Sequence, residues 1–192
     1  MPETFFTADL HFGHKNIIKY DNRPFFTVGE MDNALIDNWN SSVGDKDDVY
    51  ILGDVSWYPG HETASLLNVL KGRKHLVVGN HDGVILKSSQ AQHQFVEIVT
   101  HKEIDVETES YGKIHVVMDH FYQPFFNHSH HGAVMLYGHT HNGECHEEEL
   151  KIQDMLTKDG FKSEAYNVGC MHWDYTPVTL ENILSTGREQ VL

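Results

Sequence analysis

The chain has 192 residues, among them 28 acidic residues, 14 basic residues and 16 histidines, and its formal net charge is −14 at pH 7. An acidic chain repels phosphate backbones, and no basic cluster extends beyond residues 71–74, so we expect no extended nucleic-acid binding. No apolar run approaches the roughly 18 residues of a membrane-spanning helix, so we expect no membrane span.

Length and composition favour one globular domain, which we expect to cover residues 1–192. The first residues lack the basic and apolar regions of a secretion signal, which predicts a cytoplasmic protein. In a reducing compartment, Cys145 and Cys170 are expected to remain free thiols.

The first half of the chain alternates predicted strands with predicted helices. Short β-rich apolar runs predict strands over residues 4–8, 49–52 and 75–78. Thr27 and Glu30 have the spacing of a capping box, which predicts a helix running to about Ser41. A second helix is predicted over residues 61–70, ended by Gly72. This alternation predicts an α/β domain in which helices cover a sheet.

The second half contains strand-like runs over residues 95–106, 113–118, 133–137 and 165–168, mostly without long helices between them. We therefore expect a second, largely antiparallel sheet. After it, Thr179 is expected to cap a last helix that carries Leu180, Ile183 and Leu184.

Polar side chains follow most of these strand-like runs. The carboxyl ends of strands in an open α/β sheet meet at one crevice, so residues distant in sequence are expected to be neighbours there. Carboxylates, an amide and imidazoles together suit a site for divalent transition metals. Residues two apart on extended backbone face the same side, so each such pair can chelate an ion. The residues concerned are Asp9, His11, Asp54, Asn80, His81, Asp82, Asp119, His120, His139 and His141.

The order D-x-H, G-D, G-N-H-D, a single H and G-H-x-H resembles the signature of the calcineurin-like metallophosphoesterase superfamily. The resemblance covers the frame from Asp9 to His141, and residues 12–16 look like the small bacterial and phage members. It implies an α/β fold of two stacked mixed β-sheets flanked by helices, a four-layer αββα sandwich.

The resemblance also implies two divalent metal ions, with Mn or Fe expected and Zn or Ni as alternatives. The motif with a single histidine is the least distinctive one, so Asp119 is an alternative to His120 as a metal ligand there. The implied ligands are Asp9, His11 and His141 for one ion, Asn80, His120 and His139 for the other, and Asp54 as the bridge.

The implied activity is that of a hydrolase acting on phosphate esters through a hydroxide activated by the two metals. His81 is expected to stabilise the phosphoryl charge or to protonate the leaving oxygen, and Asp82 is expected to orient His81. His14 and Arg23 are candidates for binding the substrate, the latter because a guanidinium can grip a phosphate.

Several alternatives stay open at this point. A chain too short for a large cap domain favours a phosphodiesterase on small, nucleotide-like esters, but a phosphomonoesterase acting on a small molecule or a protein is the alternative. The superfamily also includes a non-catalytic scaffold, the retromer subunit. The full set of ligands together with His81 favours an enzyme. The oligomeric state is not predicted.

Some residues near the motifs have two interpretations each. Trp57 could pack in the core or stack on an aromatic group of a substrate. The histidines at 128, 130 and 131 are expected in a solvated loop beside the site, with extra metal binding as the alternative. Residues 147–149, three glutamates, are expected to form a solvated acidic face.

Overall fold

The computed structural model describes residues 2–189, and within that range nine strands form two sheets. The strands are β1 (Thr4–Thr7), β2 (Asp48–Ile51), β3 (Arg73–Val77), β4 (Phe95–Val99), β5 (Lys102–Thr108), β6 (Gly112–Met118), β7 (Val134–Tyr137), β8 (Ala165–Asn167) and β9 (Val178–Thr179). The helices are α1 (Ile17–Tyr20), α2 (Val28–Ser42), α3 (Gly60–Val69), α4 (Gly83–Leu86), α5 (Ser89–Gln92), α6 (Glu144–Lys158) and α7 (Leu180–Glu189).

The first sheet has the strand order β4-β3-β2-β1-β9. β1 to β4 are mutually parallel, and only the short β9 runs antiparallel, beside β1. The carboxyl ends of β1, β2 and β3 therefore lie along one edge. Each of these strands leads into one of the predicted polar clusters, so this edge carries the candidate site.

The second sheet has the order β5-β6-β7-β8 and is mixed. β5 and β6 form an antiparallel hairpin, whereas β6 to β8 are parallel. The prediction of a largely antiparallel sheet is therefore wrong. Parallel neighbours need a long crossover, and α6 supplies the one between β7 and β8. α6 escaped prediction because it is rich in acidic residues and buries only Glu149 and Leu156.

Alternate side chains of the first sheet belong to different layers of the core. Phe5 and Ile51 pack with Trp39 of α2 and Leu67 of α3 on one face. Phe6, Leu52 and Val77 point to the other face and pack against Val116 and Leu136 of the second sheet. On the far side of that sheet, Gln153 of α6 donates a hydrogen bond to the Tyr137 hydroxyl. The predicted architecture of two stacked mixed sheets flanked by helices is confirmed.

The predicted helix starts are confirmed by their caps. The Thr27 hydroxyl accepts a hydrogen bond from the Glu30 amide at 3.1 Å, and the Thr179 hydroxyl accepts one from the Asn182 amide at 3.3 Å. The Glu30 carboxylate accepts from the Phe26 amide rather than from Thr27, so only half of the expected capping box forms. Both cysteines are free thiols, as predicted.

A segment near the carboxyl terminus closes the sheet next to β1. Ala8 forms a parallel bridge with Gly169, and the Cys170 amide donates to the Ala8 carbonyl at 2.9 Å. The Cys170 thiol is buried and contacts the Asp9 carbonyl at 3.3 Å.

In residues 2–189, no helix is both long and apolar enough to cross a membrane. One domain over residues 1–192 stays a prediction.

Candidate functional site

The polar residues that follow the strands converge at the carboxyl edge of the first sheet. Two groups have ligand atoms within 4.8 Å of one another, and both include the buried Asp9. One group is Asp9, His11 and His141, and the other is Asp9, Asp54 and His120. Asp54 Oδ2 lies 3.7 Å from His120 Nε2 of its own group and 3.9 Å from His11 Nε2 of the first, so this carboxylate faces both groups.

The first group is rich in acceptors and short of donors. His141 Nδ1 donates to Asp21 Oδ1 at 2.6 Å, while His141 Nε2 lies 3.1 Å from His11 Nε2 and 3.5 Å from Asp9 Oδ1. Asp9 Oδ1 is buried and has no hydrogen-bond partner among the described residues. An orphaned carboxylate oxygen facing two imidazole nitrogens suits a cation.

When no cation is bound, a proton on the His141 ring compensates part of the negative charge of the neighbouring carboxylates. Burial disfavours protonation of His141, but the carboxylates of Asp21 and Asp9 outweigh it and raise its pKa to about 9. Burial lowers the pKa of His11, which stays neutral. A divalent ion binding here must therefore displace a proton from His141 near neutral pH.

The second group shows the same excess of acceptors. His120 Nδ1 donates to the Leu52 carbonyl at 2.7 Å, so in the neutral ring the lone pair is on Nε2. That nitrogen lies 2.9 Å from Asn80 Oδ1 and faces Asp54 Oδ2. Burial raises the pKa of Asp54 to about 6. Carboxylate, amide and imidazole lone pairs that face one another fit a second divalent ion.

His139, the remaining predicted ligand, is exposed, and its ring centroid lies 5.2 Å from that of His120. Its backbone amide donates to Asp9 Oδ2 at 2.9 Å. Asp119, the competitor of His120, accepts hydrogen bonds from the Phe121 amide and from Gln123 Nε2 instead. The structure thus places His120 in the second group and leaves Asp119 in the adjoining loop.

The backbone of the site adopts an uncommon conformation. A left-handed backbone costs a residue with a Cβ roughly 1–2 kcal/mol, and such strain persists where the surroundings enforce it. The positive φ angles belong to Asp9 (55°), His11 (54°), Asp54 (57°), His139 (75°) and His141 (50°). Five of the seven predicted ligands therefore carry strain, which is typical of a functional site.

Glycines let the loops approach one another. A Cβ on Gly79 would lie 2.7 Å from the Asp54 amide nitrogen, and one on Gly138 would lie 2.5 Å from Asp9 Oδ2. Gly53 combines a φ of +87° with a similar clash against Gly79. The motif glycines are required mainly because neighbouring loops pack backbone to backbone.

Asp82 has a different role from the one predicted. Its buried carboxylate accepts hydrogen bonds from the amides of Asp54 (3.0 Å), Val55 (2.9 Å) and Gly79 (2.7 Å). These bonds join the loop after β2 to the loop after β3. The expectation that Asp82 orients His81 is therefore wrong, because its carboxylate oxygens point to the backbone of these two loops.

Arg23 also differs from the prediction. Its buried guanidinium donates to Asp21 Oδ2 at 3.0 Å, to the Asp9 carbonyl at 2.8 Å and to the Leu10 carbonyl at 3.0 Å. A phosphate could not reach a side chain buried beneath the loop, so the structure contradicts its predicted substrate contact. Arg23 instead holds the backbone of Asp9 and orients Asp21, which in turn fixes the His141 ring.

His14 and His81 lie beside the first group. The His14 ring stacks on Trp57 with centroids 4.0 Å apart and planes 5° apart, and its centroid is 5.6 Å from that of His11. The exposed His81 ring lies 4.5 Å from Trp57, and its amide donates to Asp54 Oδ1 at 2.8 Å. Both histidines are therefore within the same crevice as the candidate ligands.

Sequence reasoning missed two residues that support the site. Asp21 could have been recognised from the sequence, because it is an acidic residue two positions before the candidate Arg23, on the loop after the first motif. Glu149 had none, because α6 was not predicted. It is 8% exposed and accepts from the Thr140 hydroxyl at 2.7 Å, between His139 and His141, so its prediction as a solvated residue is wrong.

The loop with His128, His130 and His131 lies away from the site. These three histidines are exposed, and the His128 ring packs against His115 of β6 at 5.1 Å. A cavity of about 620 Å³ lies there, between this loop and residues of β5 and β6. The loop therefore does not border the candidate ligands.

The structure is an α/β sandwich with two candidate metal-ligand groups at the carboxyl edge of its first sheet. Comparison with known proteins agrees. Residues 7–175 match the family model of the calcineurin-like phosphoesterase superfamily domain. The chain belongs to this superfamily, as the resemblance of its motifs implied.

Individual relatives align mainly over short segments. An uncharacterized protein of Methanocaldococcus jannaschii is 48% identical over 84 residues, which is 43% of this chain and 48% of that protein. The gene 66 protein of Mycobacterium phage L5 is 42% identical over 89 residues, 43% of this chain and 41% of that protein. The chain thus spans about half the length of these relatives or less.

Two further relatives match over longer stretches. The gene 66 protein of Mycobacterium phage D29 is 27% identical over 164 residues, covering 74% of this chain and 80% of that protein. The crystal structure of a protein of unknown function, AQ665 from Aquifex aeolicus, superposes with a TM-score of 0.68. It covers 97% of this chain and 100% of that one at 21% identity, which supports the fold alone.

The strain of the site can be measured at His139. His139→Gly and His139→Ala both remove the imidazole, but only glycine adopts the left-handed backbone without a steric cost. We expect the glycine variant to be about 1 kcal/mol more stable than the alanine variant, measured by urea unfolding of metal-free protein. At His115, inside β6, the same pair should show the opposite order, because glycine weakens a strand. An advantage of alanine at both positions would contradict the strain.

Proposed function

We propose that this protein is a metal-dependent hydrolase of phosphate esters, and that it prefers small diesters with nucleotide-like or aryl groups. One observation carries the proposal: two groups of acceptor atoms share Asp9 at the carboxyl edge of the sheet, and the Asp54 carboxylate of the second group also faces His11 of the first. Membership of the superfamily gives this arrangement its chemistry.

Asp9, His11 and His141 would hold one divalent ion, and Asn80, His120 and His139 the other, with Asp54 between them. The orphaned Asp9 Oδ1 and the lone pairs at His120 Nε2 and Asn80 Oδ1 support this assignment. When bound, two such ions lower the pKa of a water molecule and offset charge on phosphoryl oxygens. Oxygen and nitrogen donors without sulfur suit Mn or Fe, with Zn or Ni as alternatives.

His81 would act on the leaving group. Its ring is exposed at the crevice, and its backbone amide donates to Asp54 Oδ1, so the loop that carries the imidazole is tied to the Asp54 carboxylate. In hydrolysis, a water oxygen bonds to phosphorus while the bond between phosphorus and the leaving oxygen breaks, and a protonated His81 ring would donate an N–H proton to that leaving oxygen. His14, which stacks on Trp57 beside His11, would contact a phosphate oxygen of the substrate.

Asp21 and Arg23 would act as positioning residues. Asp21 fixes the tautomer of His141 by accepting from Nδ1, which leaves Nε2 for an ion. Arg23 balances the charge of Asp21 and anchors the Asp9 carbonyl. Because these contacts are buried, the first group would be preorganised before any ion binds.

The diester preference is supported by the elements of residues 2–189, none of which forms a cap domain over the candidate site. The net charge of −14 favours a small phosphate ester over a long polyanion as the partner of this site. A non-catalytic scaffold is disfavoured, because all seven proposed ligands and His81 lie at this one edge.

The function is tested by a screen of the Mn-supplemented protein. Bis-p-nitrophenyl phosphate, p-nitrophenyl phosphate and cyclic nucleotides are compared by initial rate, with the same protein after chelation as the control. We expect metal-dependent turnover with the highest kcat/KM on a diester. A higher kcat/KM on the monoester would make the protein a phosphatase, and no turnover of any ester with metal bound would overturn the proposal.

His81→Ala is expected to keep its metal content and to lose about 10²–10⁴-fold in kcat, because proton transfer to the leaving oxygen is lost. Metal content is measured by elemental analysis and kcat with bis-p-nitrophenyl phosphate. Asp54→Asn serves as the contrasting variant and should lose metal as well as activity. Unchanged turnover in His81→Ala would show that this imidazole moves no proton.

Asp21→Asn is expected to weaken metal binding about 10- to 100-fold, because the amide no longer fixes the tautomer and charge of His141. Equilibrium dialysis with Mn²⁺ measures the effect, and circular dichroism checks the fold. Asp105→Asn is the matched control, since Asp105 Oδ1 accepts from His115 Nδ1 at 2.7 Å on the second sheet. Equal affinity in both variants would refute the positioning role of Asp21.

A further inference from the structure

An exposed tryptophan lies at the edge of the first ligand group. The amide of Trp57 donates to the Phe12 carbonyl at 2.8 Å, which fixes the loop after β2 against the loop after β1. Its indole stacks on His14 and lies 4.5 Å from the His81 ring and 5.0 Å from the His11 ring. Although three imidazoles surround it, 37% of the residue remains exposed.

An exposed phenylalanine lies at the edge of the second group. Phe121 follows His120 directly, and its amide donates to Asp119 Oδ1 at 3.1 Å, which holds the loop after β6. The phenyl centroid lies 4.5 Å from that of His139 and 4.9 Å from that of His120. The residue is 46% exposed. Each ligand group therefore has one rigidly held aromatic ring that remains open to solvent.

This pairing matches the shape of a diester. A phosphodiester has two organic groups on one phosphorus, and with the phosphoryl oxygens between the two ligand groups these organic groups extend to opposite sides. Exposed aromatic side chains stack on planar aromatic groups, such as nucleobases, largely independently of which base or substituent is present. A monoester has only one such group and would leave one ring unused.

We propose that Trp57 and Phe121 are the specificity-determining residues of this site, each stacking one planar aromatic group of a phosphodiester substrate. The proposal rests on the function proposed above and specifies its substrate class. Trp57 takes the leaving group, because it contacts His81, the proposed proton donor. Phe121 takes the group that stays on the phosphate.

Two substrates that release the same p-nitrophenol distinguish the two positions. Bis-p-nitrophenyl phosphate keeps an aromatic group after cleavage, whereas methyl p-nitrophenyl phosphate keeps a methyl group. We expect Phe121→Leu to lose at least about fivefold more kcat/KM on the first substrate than on the second. Trp57→Leu should lose kcat/KM on both by the same factor, at least about fivefold. Phe26→Leu is the control, since Phe26 is 95% exposed on the loop before α2, and should change neither value.

A binding measurement separates stacking from any effect on catalysis. Bis-p-nitrophenyl phosphate, mixed rapidly with the Mn-loaded protein and followed before turnover, should quench its tryptophan fluorescence saturably, whereas dimethyl phosphate should not. Trp57→Phe retains Trp39 and Trp173 and should lose the quenching. It also keeps a ring at position 57, which guards against a loss of fold.

The outcomes distinguish this proposal from the proposed function. If the wild-type protein hydrolyses no ester at all, the proposed function fails; if it hydrolyses p-nitrophenyl phosphate but neither p-nitrophenyl diester, the diester specificity fails and the hydrolase stands. If it hydrolyses both but Phe121→Leu changes them equally, or Trp57→Phe keeps the quenching, the aromatic specificity is overturned and the hydrolase stands. Equal quenching by dimethyl phosphate would likewise show that no aromatic group stacks on Trp57.

Discussion

The mutual repulsion of lone pairs at the carboxyl edge of the first sheet is the constraint on which the rest of the structure depends. Asp9, Asp54 and His120 are buried with acceptor atoms facing one another, an arrangement that isolated loops would not hold. The surrounding protein supplies the compensation. Asp82 ties two loops together through three backbone amides, and Arg23 places a buried positive charge beneath a third.

Much of this site could be predicted from the sequence, because each ligand directly follows an apolar run. A strand that ends in a polar residue places it at a known edge, and the parallel order of β1, β2 and β3 then brings Asp9, Asp54 and Asn80 together. The helix caps at Thr27 and Thr179 were predictable for a similar reason, since each depends on residues only three positions away.

What could not be predicted depends on contacts between distant loops. Adjacency in sequence suggested that Asp82 serves His81, but neighbouring side chains in a tight turn point apart, and the carboxylate faces amides 27 and 28 residues away. Arg23 was expected to bind a phosphate of the substrate, but Asp21 and two backbone carbonyls surround its guanidinium in the structure. β7 and β8 are parallel because α6 crosses over between them, and α6 was not predicted because it is too polar to show a clear apolar face.

The contact between the Cys170 segment and Asp9 has a consequence for how the protein is made. The two residues are 161 positions apart, and the G-H-x-H motif also lies far along the chain. At ~5–20 residues per second, Asp9 leaves the ribosome roughly 10–30 s before its last partner does. The candidate ligand group of Asp9, His11 and His141 can therefore form only after most of the chain has been synthesised.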